Sequence, residues 1–236
     1  MFRTLNAEQI IATLQALRRR IAERFPDASL ARVCAELISV AGESRARTAS
    51  IARPAYGLRA ATGAVVAGGL ALLGLGAGLL EVKREGTNVY GILQGIESGF
   101  NIVLLMGAAV FFLVTLETRL KRRAAMHGLH ELRSIVHVID MHQLTKDPTA
   151  LTEGGRATES SPRRAMSAYD LGRYLDYCSE MLSLIAKVAA LYAQSSKDPI
   201  VVDAVSDIGQ ITTNLSNKIW QKITLVQRLP PDIVTA

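Results

Sequence analysis

The sequence predicts an all-α integral membrane protein, with a two-helix transmembrane hairpin and cytosolic helical hairpins at both ends. Two apolar runs, residues 60–80 and 98–116, contain no acidic or basic residue. Each is long enough to cross a hydrocarbon core of about 30 Å as a helix. Elsewhere apolar residues recur in steps of three and four, which is typical of amphipathic helices.

The first segment, residues 1–55, is predicted to be a cytosolic helical hairpin. Asn6 is a favourable N-cap, and apolar residues follow it at helical spacing until Pro26. A second amphipathic helix is expected to end before Pro54, because the residue before a proline disfavours helix. The first 25 residues are too polar for a signal peptide, so we expect the N-terminus to be retained.

Residues 56–120 are predicted to form the transmembrane hairpin, with an extracytoplasmic loop at 81–97. The second helix is expected to begin near residue 88, within this loop and before the hydrocarbon region. Basic residues lie outside both apolar runs: Arg45, Arg47, Arg53, Arg59, Arg119, Lys121, Arg122 and Arg123. In the loop, Lys83 and Arg84 are balanced by three glutamates. Because basic residues near span ends stay in the cytoplasm, we expect a multi-pass protein of the inner membrane with both termini cytoplasmic.

The formal net charge of +6 comes mostly from these juxtamembrane residues. Each such Lys or Arg is attracted to an anionic membrane surface by about 1 kcal/mol. A lipid bilayer with anionic headgroups is therefore the expected partner. Nucleic acid is not expected, since no binding motif or aromatic platform accompanies the charge.

Small residues recur at helical spacing in both apolar segments. The predicted helix-packing residues are Gly63, Ala67, Ala71, Gly74, Gly78, Gly91, Gly95, Gly99 and Gly107. They could pack the two spans of one chain together, join copies in a glycine-zipper homo-oligomer, or line a pore. Glu97 could form an acidic ring at a pore mouth or extend into the headgroups.

The chain beyond the second span is divided into three parts. Residues 121–148 continue the helix into the cytosol, and residues 149–165 are a flexible linker rich in Ser, Thr and Gly. Residues 166–229 form an antiparallel helical hairpin with coiled-coil-like seams. Its first helix is predicted to start at Ser167, and its second at the Lys197–Pro199 triplet, which supplies the cap Asp198 and a proline at the first helical position. Cys34 and Cys178 are expected to be buried free thiols in a reducing compartment.

All four histidines fall between residues 127 and 142. His127, His130 and Glu131 can share one side of a helix and are weak candidates for a metal site, but no established metal-binding spacing occurs. A hydrogen-bonded polar interface is the preferred interpretation. No metal is firmly predicted.

Residues 139–148 (IDMHQLTKDP) place several polar side chains where the long helix should end. The residues His137, Asp140, His142 and Lys146 are candidates for pH sensing or for contact with a partner. Alternatively, these side chains cap the helix terminus, with Lys146 and His142 near its last carbonyl groups.

The sequence contains no phosphate-binding glycine loop, nucleophile elbow or Cys–His pair, so we predict no enzymatic activity and no cofactor. The favoured function is a membrane-anchored scaffold or self-assembling adaptor. Its cytosolic helices would bind one another or an unidentified cytosolic protein. The alternative is an oligomeric pore formed by the glycine-rich spans. A metal-handling membrane protein ranks below both.

Overall fold

The computed structural model describes residues 4–82, 89–146, 148 and 166–228. About 90% of these residues are helical and none of them lies in a strand, which confirms the predicted all-α class. The long helices of this part of the chain are α1 (Ala7–Arg24), α2 (Leu30–Ala52), α3 (Tyr56–Val82), α4 (Val89–Leu144), α5 (Ala168–Ser195) and α6 (Pro199–Gln227). The predicted linker at 149–165 lies outside the described residues, as do residues 83–88 of the predicted loop.

Side-chain caps determine where three of these helices begin. The Asn6 side chain accepts hydrogen bonds from the backbone N–H groups of Glu8 and Gln9, at 2.9 and 3.4 Å. Ser167 accepts one from the Asp170 N–H, and Asp198 accepts one from the Ile200 N–H. Each bond satisfies an N–H that has no partner within its helix. The starts predicted at these caps are confirmed.

Two other boundaries follow from the sequence pattern. Helix α2 ends at Ala52, just before Pro54, as predicted. Helix α4 is continuous from Val89 to Leu144, so residues 89–97 of the predicted loop are helical. Since no proline occurs in this stretch, backbone hydrogen bonding continues without interruption.

The chain divides into two compact units. The helical unit comprises Met1–Ala52 and Ala124–Ala236, and the apolar pair comprises Arg53–Arg123. Helix α4 contributes its first part to the apolar pair and its last part to the helical unit.

The helical unit has one hydrophobic core, to which both predicted cytosolic hairpins contribute. Helix α5 contacts α1, α2 and α6, and its buried residues include Leu175, Met181 and Ile185. Leu132 and Ile139 of α4 are also fully buried. The sequence leaves open whether the two hairpins pack on each other, but the buried residues of α5 occur in every turn of the helix. A helix of this kind must be enclosed by neighbours, which brings the hairpins together.

A close contact joins three helices at Gly128 of α4. The fully buried Tyr192 of α5 donates a hydrogen bond from its hydroxyl to Ser44 Oγ of α2, at 3.0 Å. A Cβ atom on Gly128 would overlap the Tyr192 hydroxyl and lie 3.0 Å from Nη1 of Arg47. The absence of a side chain at Gly128 therefore allows the tyrosine to reach α2.

In the apolar pair, α3 and the first part of α4 lie side by side in opposite directions. Lys121 Nζ donates to the Arg53 carbonyl at 2.8 Å, and the Ala55 N–H donates to Glu117 at 3.2 Å. Further along α3, Gly69 lies against Met106. The beginning of α3 therefore lies beside the end of the α4 segment that belongs to the apolar pair.

Both helices of the apolar pair expose large apolar side chains along their length, including Leu75 and Phe111, which are 67% and 74% exposed. Two helical segments, one within Leu30–Gly78 and the other Val89–Leu144, are long and apolar enough to cross a membrane. These are the segments that contain the two apolar runs.

The substitution Gly128→Ala should destabilise the helical unit by about 1–3 kcal/mol, because the added methyl overlaps Tyr192. The measurement is the midpoint of thermal unfolding, followed by circular dichroism on the full chain in a neutral detergent. Gly209→Ala in α6 is the matched control, since a Cβ there meets nothing within 4 Å. Alanine should stabilise that helix by up to about 1 kcal/mol. An equal rise of the unfolding midpoint in both variants would contradict the close contact at Gly128.

Candidate functional site

The predicted ridge of small residues on α3 does not contact α4 within this chain. Among the described residues, a Cβ atom on Gly63, Gly74 or Gly78 would meet nothing within 4 Å, and Ala67 and Ala71 are exposed. The contact with α4 is made instead by Gly69, where an added Cβ would lie 2.5 Å from Sδ of Met106. The packing role of the ridge stays a prediction about contacts outside a single chain.

The predicted glycine ladder on α4 is only partly at the α3 contact. A Cβ on Gly99 would lie 3.9 Å from Cδ2 of Leu73, whereas one on Gly107 would meet nothing within 4 Å. Gly91 and Gly95 are partly exposed, and Glu97 is exposed. Packing of α3 against α4 within one chain therefore explains a glycine at position 99 but not the glycine at position 107.

Glu131, a weak metal candidate, is bound by an arginine. Arg47 of α2 contacts both carboxylate oxygens, one of them through Nη2 at 3.3 Å, and the same Nη2 donates to Glu43 at 2.6 Å. His127 Nδ1 lies 3.4 Å from Glu131 and its side chain is 68% exposed, while His130 is exposed. A guanidinium at this carboxylate favours an ion pair over a metal. Across the described residues, no group of three or more His, Cys, Asp or Glu side chains could hold a metal ion.

The ion pair shifts the titration of both partners. Hydrogen bonding from Arg47 is the largest effect, and it lowers the pKa of the Glu131 carboxyl below its usual value. The same bond raises the pKa of the Arg47 guanidinium. Both changes favour the charged forms, so the pair stabilises the contact between α2 and α4 at neutral pH.

A second polar group surrounds the end of α4. The side chain of Gln143 is buried and donates to Asp140 at 2.7 Å. Lys222 of α6 donates to the Gln143 side-chain oxygen at 2.7 Å and to its backbone carbonyl at 2.8 Å. The sequence suggested that Lys146 or His142 would supply the cation at this helix end. Lys222 does so, because α6 packs beside it.

His142 and Lys146 instead contact Tyr174 of α5. His142 Nδ1 lies 3.2 Å from the Tyr174 hydroxyl, and Lys146 Nζ lies 5.2 Å from the centre of the ring. Burial, and after it the charge of Lys146, lowers the pKa of the His142 imidazole. Burial likewise raises the pKa of the Tyr174 hydroxyl. Both shifts favour the neutral forms of the two side chains. His137, by contrast, is exposed.

These side chains line a cavity of about 640 Å³. Its walls come from the turn between α1 and α2, the end of α4 and the start of α5, and they include Arg24, Phe25, His142, Lys146, Met166 and Tyr174. The ring of Phe25 meets that of Tyr174 edge to face, with centroids 5.5 Å apart. A concave site with apolar walls and a few polar groups is the usual form of a small-molecule site.

Sequence reasoning singled out His142 and Lys146 but missed their partners. The helical spacing of apolar residues places Tyr174 on the apolar stripe of α5 and Phe25 on that of α1. Phe25 is followed by Pro26 and Asp27, a turn signal that placed it at a helix end. Nothing in the spacing of these residues relates that turn to the end of α4, which is more than 100 residues away.

Comparison of the chain with protein-family models, with curated proteins and with solved structures gives no match in any of the three.

Glu131→Gln should destabilise the helical unit by about 1 kcal/mol at pH 7. The lowered pKa means that the ion pair contributes above the unfolded pKa of about 4.3, and that its contribution is lost as the pH falls through the folded value. Thermal unfolding at pH 7 and near pH 3 measures this difference. Glu36→Gln, at an exposed position of α2, is the control. If Glu131→Gln lost the same stability at both pH values, Glu131 would act through packing and not through its charge.

Proposed function

We propose that this chain is a non-enzymatic, two-span protein of the inner membrane, with both termini cytoplasmic, whose helical unit acts as a scaffold or self-assembling adaptor. One observation carries the proposal: α4 is a single continuous helix of 56 residues. Its first part is apolar and exposed, and its last part supplies core residues to the helical unit. In a bilayer, such a helix anchors a folded unit directly.

The interior of the helical unit supports a structural role. Within the described residues, no buried side-chain nitrogen or oxygen lacks a hydrogen-bond partner. Complete satisfaction of polar groups is typical of a core that holds one conformation. An adaptor needs a surface of constant shape, and such a core maintains one.

The chemistry of the two cysteines agrees with a non-enzymatic role. Cys34 and Cys178 are buried free thiols, as predicted. Burial raises the pKa of Cys34 to about 11 and that of Cys178 to about 12. Since the thiolate is the reactive form, neither residue is suited to nucleophilic catalysis at neutral pH.

A pore is the second candidate, and the open ridge on α3 favours it. Gly63, Gly74 and Gly78 present a surface without side chains that nothing in the described part of the chain covers. In lipid, small residues of this kind allow helices of different chains to approach closely. Two spans per chain would then require several copies to enclose a channel.

Cysteine labelling tests the topology. Glu97→Cys should react with a membrane-impermeant maleimide in spheroplasts, and Lys197→Cys should react only after permeabilisation, since basic residues keep the helical unit inside. The unmodified chain is the control, because Cys34 and Cys178 are both fully buried. Labelling of Lys197→Cys from outside would reject the proposed orientation.

Cation flux separates the adaptor from the pore. Liposomes containing the full chain should release K⁺ no faster than protein-free liposomes if the chain is an adaptor. A Glu97→Gln variant, which removes the charge at the proposed pore mouth, should behave identically. Flux that requires the chain and falls in Glu97→Gln would establish the pore and exclude the purely adaptor role.

A further inference from the structure

The cavity at the end of α4 has the size and the chemistry of a ligand site. Its volume of about 640 Å³ falls within the range of small-molecule pockets, roughly 300–1,000 Å³. It lies entirely within the helical unit, where three separate chain segments meet. A ligand bound there would contact all three segments at once.

Two side chains of this cavity are available to an anion. Lys146 rests on the Tyr174 ring, and no carboxylate in the described part of the chain forms an ion pair with it. His142 uses Nδ1 toward Tyr174, and its Nε2 has no protein partner among the described residues. When Nδ1 accepts a hydrogen bond from the Tyr174 hydroxyl, the proton of the imidazole is on Nε2, and the wall then offers an ammonium and a ring N–H to an anion.

The remaining charged groups of the cavity, Arg24, Asp27 and Asp170, sum to one negative charge. Arg24 is paired with Asp170 at 3.5 Å, with both side chains 37% exposed, so this pair adds little net field. Asp27 is exposed, in the turn between α1 and α2. Within the described part of the chain, Lys146 is thus the lining cation that forms no ion pair, whereas Arg24 pairs with Asp170.

Aromatic and aliphatic side chains form another part of the wall, beside the polar residues Ser29 and Thr145. Phe25 is 8% exposed, and its ring meets Tyr174 at an interplanar angle of 70°. Pro26 and Met166 extend the apolar surface. A methionine next to aromatic rings adapts its shape to a planar ligand.

We propose that this cavity binds a small water-soluble organic anion, with its phosphate or carboxylate group at Lys146 and His142 and a planar apolar body against Phe25 and Met166. Ligand binding at this site would go beyond the adaptor role, and it does not depend on the proposed membrane topology or on the absence of cation flux. Its failure and the failure of the proposed function are therefore distinguishable.

The experiment uses the full chain with ¹³C-labelled histidine, in a neutral detergent free of phospholipid, with phenyl phosphate as the probe. Phenyl phosphate should shift the His142 ring signal saturably and leave that of the exposed His137 unchanged. Inorganic phosphate should bind more weakly, because it lacks the apolar body. Equal binding of the two probes would overturn the apolar part of the site, and the absence of a saturable His142 shift would overturn the whole.

Variants of two charged residues test the anion contact. Lys146→Gln should weaken binding on the order of tenfold, since it removes a charge-assisted contact. Lys187→Gln on α5 is the matched control, because Lys187 bonds to Ser183 and does not line this cavity. Asp27→Asn removes a negative charge from the wall of the cavity and should therefore tighten the binding of an anion. This variant tests the site even if Lys146→Gln is unstable. Equal affinities for the Lys146 and Lys187 variants, or weaker binding by Asp27→Asn, would contradict the proposal. A shift produced by added phosphatidylglycerol and not by phenyl phosphate would also contradict it.

Discussion

Burial of α5 is the constraint on which the helical unit depends. Its buried residues occur in every turn and include Leu171, Cys178, Ile185 and Tyr192. A helix with so wide an apolar surface is stable in water only when neighbours cover it on several sides. Helices α1, α2 and α6 do so, and the last part of α4 joins the same core. The N-terminal and C-terminal segments therefore fold as one body, although more than 100 residues separate them.

Polar contacts specify how these helices meet. The hydroxyl of Tyr192 needs a partner when it is buried, and Ser44 provides it only because Gly128 leaves room. Beside it, Arg47 and Glu131 connect α2 to α4 across the same junction. Apolar burial favours the association of the helices in general, whereas these bonds favour one particular register.

The apolar pair, unlike the helical unit, is not stabilised mainly by burial of its apolar side chains within the chain. Most of its surface is apolar and exposed, so contacts within one chain bury little of it. Glu117 is an exception: it is 16% exposed and accepts from the Ala55 N–H and from Lys121. A lipid environment would cover the apolar side chains and strengthen such polar contacts at the ends of the helices. This is consistent with the proposed membrane location and with the open glycine ridge on α3.

The sequence by itself determined the helical class, the two apolar helices and the helix starts at Asn6, Ser167 and Asp198. These features depend on local effects, namely apolar periodicity, charge-free length and capping, which act over a few residues. Only the tertiary structure decided that both hairpins share a core, that Gly69 rather than the predicted ridge meets α4, and that Tyr174 and Phe25 join His142 in a cavity. Such contacts depend on which face of each helix meets which neighbour. Residues distant in sequence settle that choice together, and the spacing within a single helix does not reveal it.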